Sequence, residues 1–150
     1  MRFLSVLAAA LIIAAPALAS EKTEAAAPVH QFIDGMNKGD MKTAAAAYAP
    51  DASIIDEFPP HYWHGANAFA DWGQDFGTDS QKNGITDPLV TLGKVRHIDV
   101  TGDHAYAVYP ATYSYKQHGK PVRETGAAMT FALTKLPEGW RIAAWSWTRP

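Results

Sequence analysis

Near Leu89 the hydrophobic periodicity of this chain changes from helical to alternating, and that change decides how its layers can be built. Upstream, Val29, Phe32, Ile33 and Met36 fall at i, i+3, i+4 and i+7, the apolar stripe of an amphipathic helix. Met41, Ala44, Ala45 and Tyr48 repeat the spacing and predict a second helix ending near Tyr48 or Ala49. Between the two stripes, Gly39 suits a left-handed helix end and Asp40 can cap the next helix through its side-chain oxygen. Ser53–Asp56 and Tyr62–His64 read as short strands separated by Phe58-Pro59-Pro60. A third helix is expected from about Asn67, burying Phe69, Trp72 and Phe76, and Gly77–Gly84 is expected to be a loop.

Downstream, Leu89–Val100, His104–Gln117, Val122–Leu136 and Trp140–Thr148 are rich in Val, Ile, Tyr, Thr and Trp. Thr101-Gly102-Asp103, His118-Gly119-Lys120 and Pro137-Glu138-Gly139 supply compact turns between them. Four long strands with tight connections make an antiparallel meander, so the class is α+β, with the helices collected on one face of the sheet.

The N-terminus carries a different pattern. Met1-Arg2, an apolar run from Phe3 to Ala15 and the small-residue triplet Ala17-Leu18-Ala19 form a secretory leader, cleaved after Ala19. The run is shorter than the ~20 residues a spanning helix needs, so no membrane insertion is expected after cleavage. A periplasmic or secreted protein is the expectation, with residues 20–27 a flexible N-terminus and residues 28–150 one domain. A net charge of −2 and the lack of a basic cluster argue against nucleic-acid binding. Because the chain has no cysteine, disulfides and thiolate chemistry are excluded, and 47% hydrophobic residues must hold the fold by burial.

The Asn37–Asp40 corner, Ala49-Pro50-Asp51-Ala52, Trp63-His64-Gly65 before a helix and the closing Gly139-Trp140-Arg141-Ile142 resemble the nuclear transport factor 2-like superfamily, SnoaL-like group. The resemblance covers about Pro28 to Thr148. It implies a cone-shaped fold in which three N-terminal helices pack on a curved antiparallel sheet around a pocket. It does not imply one activity, since this scaffold hosts isomerases, dehydratases, cyclases, hydrolases and non-enzymes.

Asp56, at the end of a short strand before a proline-rich turn, is the leading candidate for a general base. The resemblance to ketosteroid isomerases places it where they keep their catalytic aspartate. Their enolate-stabilising tyrosine and protonated aspartate correspond here to Phe32 and Met129, neither of which donates a strong hydrogen bond. Losing one such donor typically costs ~2.7–4 kcal/mol of transition-state stabilisation, so strict ketosteroid isomerase activity is not expected.

A replacement donor is sought among the tyrosines of the strand that carries Tyr106, Tyr109, Tyr113 and Tyr115. Tyr113 and Tyr115 share a face by parity. His64 is a candidate acid, because the related dehydratases pair histidine with aspartate, which makes Asp56–His64 the dyad to look for. The catalytic candidates are therefore Asp56, His64 and Tyr113. His61 and His64 beside Asp56 and Glu57 lack regular metal-ligand spacing, and no metal or cofactor is expected. Asp71 and Asp75 read as a solvated helix face. Arg123, Thr125, Ala127 and Met129 alternate onto one side of their strand, so Arg123 could reach the pocket rim if Met129 lines it, but a surface ion pair is the commoner role for such a residue.

For ligand contact, Phe32, Met36, Tyr62 and Trp63 are expected on the pocket wall, together with Trp72, Tyr106, Met129 and Trp145. Trp145 and Trp147 share one face of the last strand by parity, which suggests a homodimer surface on the sheet. The function expected is an exported pocket protein for a small, apolar, cyclic molecule, with catalysis, where present, being cofactor-free acid–base chemistry. The alternative is a non-catalytic dimeric module for ligand binding or protein interaction.

Overall fold

The computed structural model describes residues 15–150, and their side chains from 19 onward; residues 1–14 of the expected leader lie outside the described residues. Helix α1 spans Ala15–Lys38, well upstream of the expected start at Pro28. Pro28 removes one intrahelical hydrogen bond, yet α1 continues through it because Ala25, Val29, Phe32 and Ile33 form one buried stripe on either side. Residues 20–27, expected to be flexible, are therefore helical.

Gly39 adopts φ 70° and ends α1, and Asp40 accepts a 3.0 Å hydrogen bond from the Thr43 N–H to open α2 (Met41–Ala45). Helix α2 is a turn shorter than its apolar spacing predicts. Ala44 is buried, Met41 is 43% exposed, and Tyr48 begins strand β1. The cause is close contact: a Cβ on Gly35 would sit 2.7 Å from the Ala44 nitrogen, so α2 lies directly on the α1 backbone.

The sheet comprises β1 (Tyr48–Ile55), β2 (Tyr62–Gly65), β3 (Ile85–Leu92), β4 (His97–Thr101), β5 (His104–Gln117), β6 (Lys120–Leu136) and β7 (Gly139–Thr148). Its order is β2-β1-β7-β6-β5-β3, with β4 also pairing β5, and only β1–β7 is parallel. The segment expected as one strand from Leu89 to Val100 is two, parted where Gly93 and Arg96 bond to Pro110 and Val108 of β5. Helix α3 covers Ala68–Lys82 and absorbs most of the expected 77–84 loop.

Two bulges rewrite the strand parity. In β6, Ala111 pairs with Ala127 but Tyr113 pairs with Glu124, so an extra residue sits near Gly126, whose φ is 86°. In β7, Leu133 pairs with Ile142 and Ala132 with Ala144, leaving Ala143 unpaired. Each bulge exchanges the two faces of its strand downstream. Trp140 and Ile142 therefore point inward together with Trp145, and all three are buried.

Candidate functional site

Strand β1, helix α3 and the bulged ends of β5, β6 and β7 surround one cavity of about 670 Å³, within the usual ~300–1,000 Å³ range of small-molecule sites. Asp56 enters it from the end of β1. Its Oδ2 accepts a 2.9 Å hydrogen bond from Trp72 Nε1 on α3, and its Oδ1 accepts one of 2.8 Å from the Glu57 N–H. The loop after Asp56 is closed by the Asp56 N–H donating to the His61 carbonyl at 3.2 Å and the His61 N–H donating to Phe58 at 2.9 Å. Burial pushes the Asp56 carboxyl above its ordinary value of 3.8, against the two hydrogen bonds; the Glu57 charge adds to the rise and Arg149 opposes it. A carboxylate raised in this way is a better proton acceptor near neutral pH.

Tyr113 faces the same cavity from β5. Its ring lies 4.7 Å from Tyr115 and meets Trp147 edge-on at 6.2 Å. Its hydroxyl is buried and has no hydrogen-bond partner. Burial, reinforced by Tyr115 and the charges of Glu124, Asp56 and Glu57, drives its pKa far up, so the phenol stays protonated and remains a donor. An unpaired buried hydroxyl costs about 1–3 kcal/mol, a penalty that an occupant of the cavity can relieve.

Around these two groups Tyr115 donates to Glu124 Oε1 at 2.8 Å, and Arg149 grips Glu57 through both Nε and Nη2, the latter 2.6 Å from Oε1. Sequence reasoning missed Glu57, Glu124, Trp147 and Arg149 as wall residues. The signal for Glu124 was Gly126, since a glycine inside a strand marks a bulge that turns its neighbour inward. The same bulge turns Arg123 outward, into a shallow surface depression beside Lys116, so it does not reach the rim.

The expected site residues divide. Asp56, Tyr113, Phe32, Met36, Trp72, Met129 and Trp145 line the cavity. Four others do not. His64 alternates with buried Trp63 on β2 and so faces outward, its Nδ1 3.0 Å from Ser53 Oγ and its Nε2 3.8 Å from Asp51 Oδ1. An Asp56–His64 dyad is therefore ruled out by strand parity. Tyr62 is 55% exposed and stacks on His64. Trp63 is buried behind the wall, and its Nε1 donates to Asp75 at 2.8 Å, so Asp75 is not part of a solvated face. Tyr106 is 48% exposed on the outer face beside His97. Trp145 and Trp147 line the cavity rather than an outer dimer surface, a consequence of the β7 bulge. Phe32 and Met129 stand on the wall as apolar groups, each 2% exposed.

A cone of helices on a bent, mostly antiparallel sheet defines the nuclear transport factor 2-like class, and solved structures share it. An NTF2-like protein with a cystatin-like fold from Novosphingobium aromaticivorans is 17% identical, with a TM-score of 0.70 over 89% of this chain and 84% of that one. An NTF2-like superfamily protein from Salmonella enterica is 18% identical, with a TM-score of 0.71 over 88% and 92%. A ketosteroid isomerase-like protein from Erwinia carotovora atroseptica is 17% identical, with a TM-score of 0.67 over 87% and 98%. The model of the SnoaL-like domain matches residues 29–143, and the chain belongs to that family. Among curated proteins no match is found.

Proposed function

We propose that this SnoaL-like protein binds a small, largely apolar, cyclic molecule carrying a carbonyl or hydroxyl group, and moves a proton on it without a cofactor. The observation that carries the reading is the unpartnered Tyr113 hydroxyl facing a cavity that also holds the raised carboxylate of Asp56. Asp56 would take a proton from carbon next to the carbonyl, and Tyr113 would donate a hydrogen bond to the oxygen as charge develops there. Trp72 fixes the carboxylate by its 2.9 Å hydrogen bond, leaving further lone pairs free for the proton. Chemistry of this type suits isomerase, dehydratase or cyclase reactions.

The test is exchange of ring α-protons of cyclic ketones into D2O, followed by proton NMR. The expected result is protein-dependent exchange that falls at least ~100-fold in Asp56→Asn and in Tyr113→Phe, in line with the usual worth of a general base or an oxyanion donor. Equal exchange by wild type and Asp56→Asn would overturn the mechanism.

Export is part of the proposal. Residues 19–24 are exposed and the first buried side chain among the described residues is Ala25, so the packed part of α1 described here lies beyond the expected cleavage after Ala19. No helix of the described residues is long and apolar enough to cross a membrane. N-terminal sequencing of the protein from an expressing cell's periplasm should begin at Ser20; a retained Met1 would sink this part. A homodimer through the sheet would use the outer face, where Ile55 and Tyr106 are 53% and 48% exposed, and sedimentation would find only monomer if that is wrong.

A further inference from the structure

We infer that the cavity selects a ligand bearing a positively charged amine and turns away anions. The inference rests on the pocket reading above and names the chemical class that pocket takes. It follows from which polar groups on the wall are already spent. Arg149, the basic side chain of the wall, is held by Glu57 through Nε and Nη2 and both carboxylate oxygens. An incoming carboxylate or phosphate would meet a guanidinium whose charge Glu57 already offsets, on a wall that also carries Asp56, Asp79 and Glu124. The amide of Asn37 is spent in the same way, with Nδ2 donating to the Val90 carbonyl at 2.7 Å and Oδ1 accepting from the Val90 N–H at 3.0 Å.

Acceptors are left over instead. Among the described residues Glu124 accepts one hydrogen bond, from Tyr115 to Oε1, and its Oε2 has no protein donor. A carboxylate has about four lone-pair sites, so Glu124 can take an ammonium N–H without losing Tyr115. Glu124 pairs in register with Tyr113, which places this spare acceptor beside the unpartnered hydroxyl that marks the ligand position. The aromatic walls of Trp145 and Trp147 add the second element of cation recognition, since indole faces attract a cation within about 6 Å. Asp56 remains the proton acceptor for the ring, and Glu124 holds the amine. A cyclic aminoketone or similar oxygen-bearing amine satisfies both.

The experiment is isothermal titration calorimetry of the whole protein at neutral pH with three probes of one shape: tryptamine, 3-methylindole and indole-3-acetate. Tryptamine is expected to bind at least tenfold more tightly than 3-methylindole, and indole-3-acetate to bind more weakly than either. In Glu124→Gln the ratio of tryptamine to 3-methylindole affinity should fall to about one. If 3-methylindole binds and tryptamine binds no better, or indole-3-acetate binds best, charge selection is wrong and the pocket reading survives. If none of the three binds, both fail. A tryptamine preference that persists in Glu124→Gln would overturn the assignment to Glu124.

Discussion

Strand β5 divides at Thr112 into two halves that share one inward face and do opposite things. From Ala105 to Ala111 the inward row is Ala105, Ala107, Tyr109 and Ala111, all buried, with Tyr109 meeting His30 of α1 edge-on at 5.8 Å. From Tyr113 onward the row is Tyr113, Tyr115 and Gln117, none fully buried, all lining the cavity. Small side chains let the neighbouring elements close down to crystal-like density, whereas large polar-tipped rings hold them apart. The β6 bulge near Gly126 lies beside the division. The first half holds the fold together, and the second half trades packing for a site.

That contrast sets an order of effects. Phe131→Ala, on β6 opposite Ala107 of the packed half and fully buried, should cost about 3–5 kcal/mol in urea unfolding. Phe76→Ala, on the cavity wall, should cost clearly less, because its site already borders empty space. Equal losses would mean that the cavity is closed in solution.

Two glycines give the next comparison. Gly35→Ala should destabilise by about 1–3 kcal/mol, because the new methyl meets the α2 backbone at 2.7 Å. Gly77→Ala, in α3 with nothing within 4 Å of the added carbon, should stabilise by about 0.5–1 kcal/mol through helix propensity. Thermal unfolding of both variants checks the pair.

The smallest effect is the pH dependence of Asp56. Its folded pKa lies above 3.8, so the folded state holds the proton more tightly than the unfolded chain. The contribution is fully favourable below pH 3.8 and is lost as pH rises through the raised folded value. Asp56→Asn should flatten that segment of the stability profile, measured by urea unfolding at successive pH values; an unchanged profile would place the carboxyl in ordinary solvent.

Sequence described local patterns well. The stripe Val29, Phe32, Ile33 and Met36, the Gly39–Asp40 corner and the limits of β5 are local patterns, and the structure keeps them. Asp56, Tyr113 and five apolar wall residues were also found, because element order places them at the pocket. What failed failed for a physical reason. A bulge inserts one residue and exchanges the faces of a strand, so Glu124 faces the cavity and Arg123 does not, and Trp147 turned from an expected outer surface to the cavity. His64 was assigned by analogy, although alternation on β2 with inward Trp63 already pointed it outward. Arg149 lies beyond the last strand and has no periodic pattern to betray it.

The central claim is that the second half of β5 helps enclose an open ligand site. The most direct measurement is thermal unfolding of the protein against a panel of cyclic ketones, lactones, phenols and cyclic amines, with Tyr113→Phe alongside. A ligand at 100 times its Kd adds ~2.7 kcal/mol, a rise of several degrees in Tm for a domain of this size. The account predicts such a rise for at least one oxygen-bearing ring compound, reduced in Tyr113→Phe. A folded protein whose Tm no member of the panel moves would contradict it.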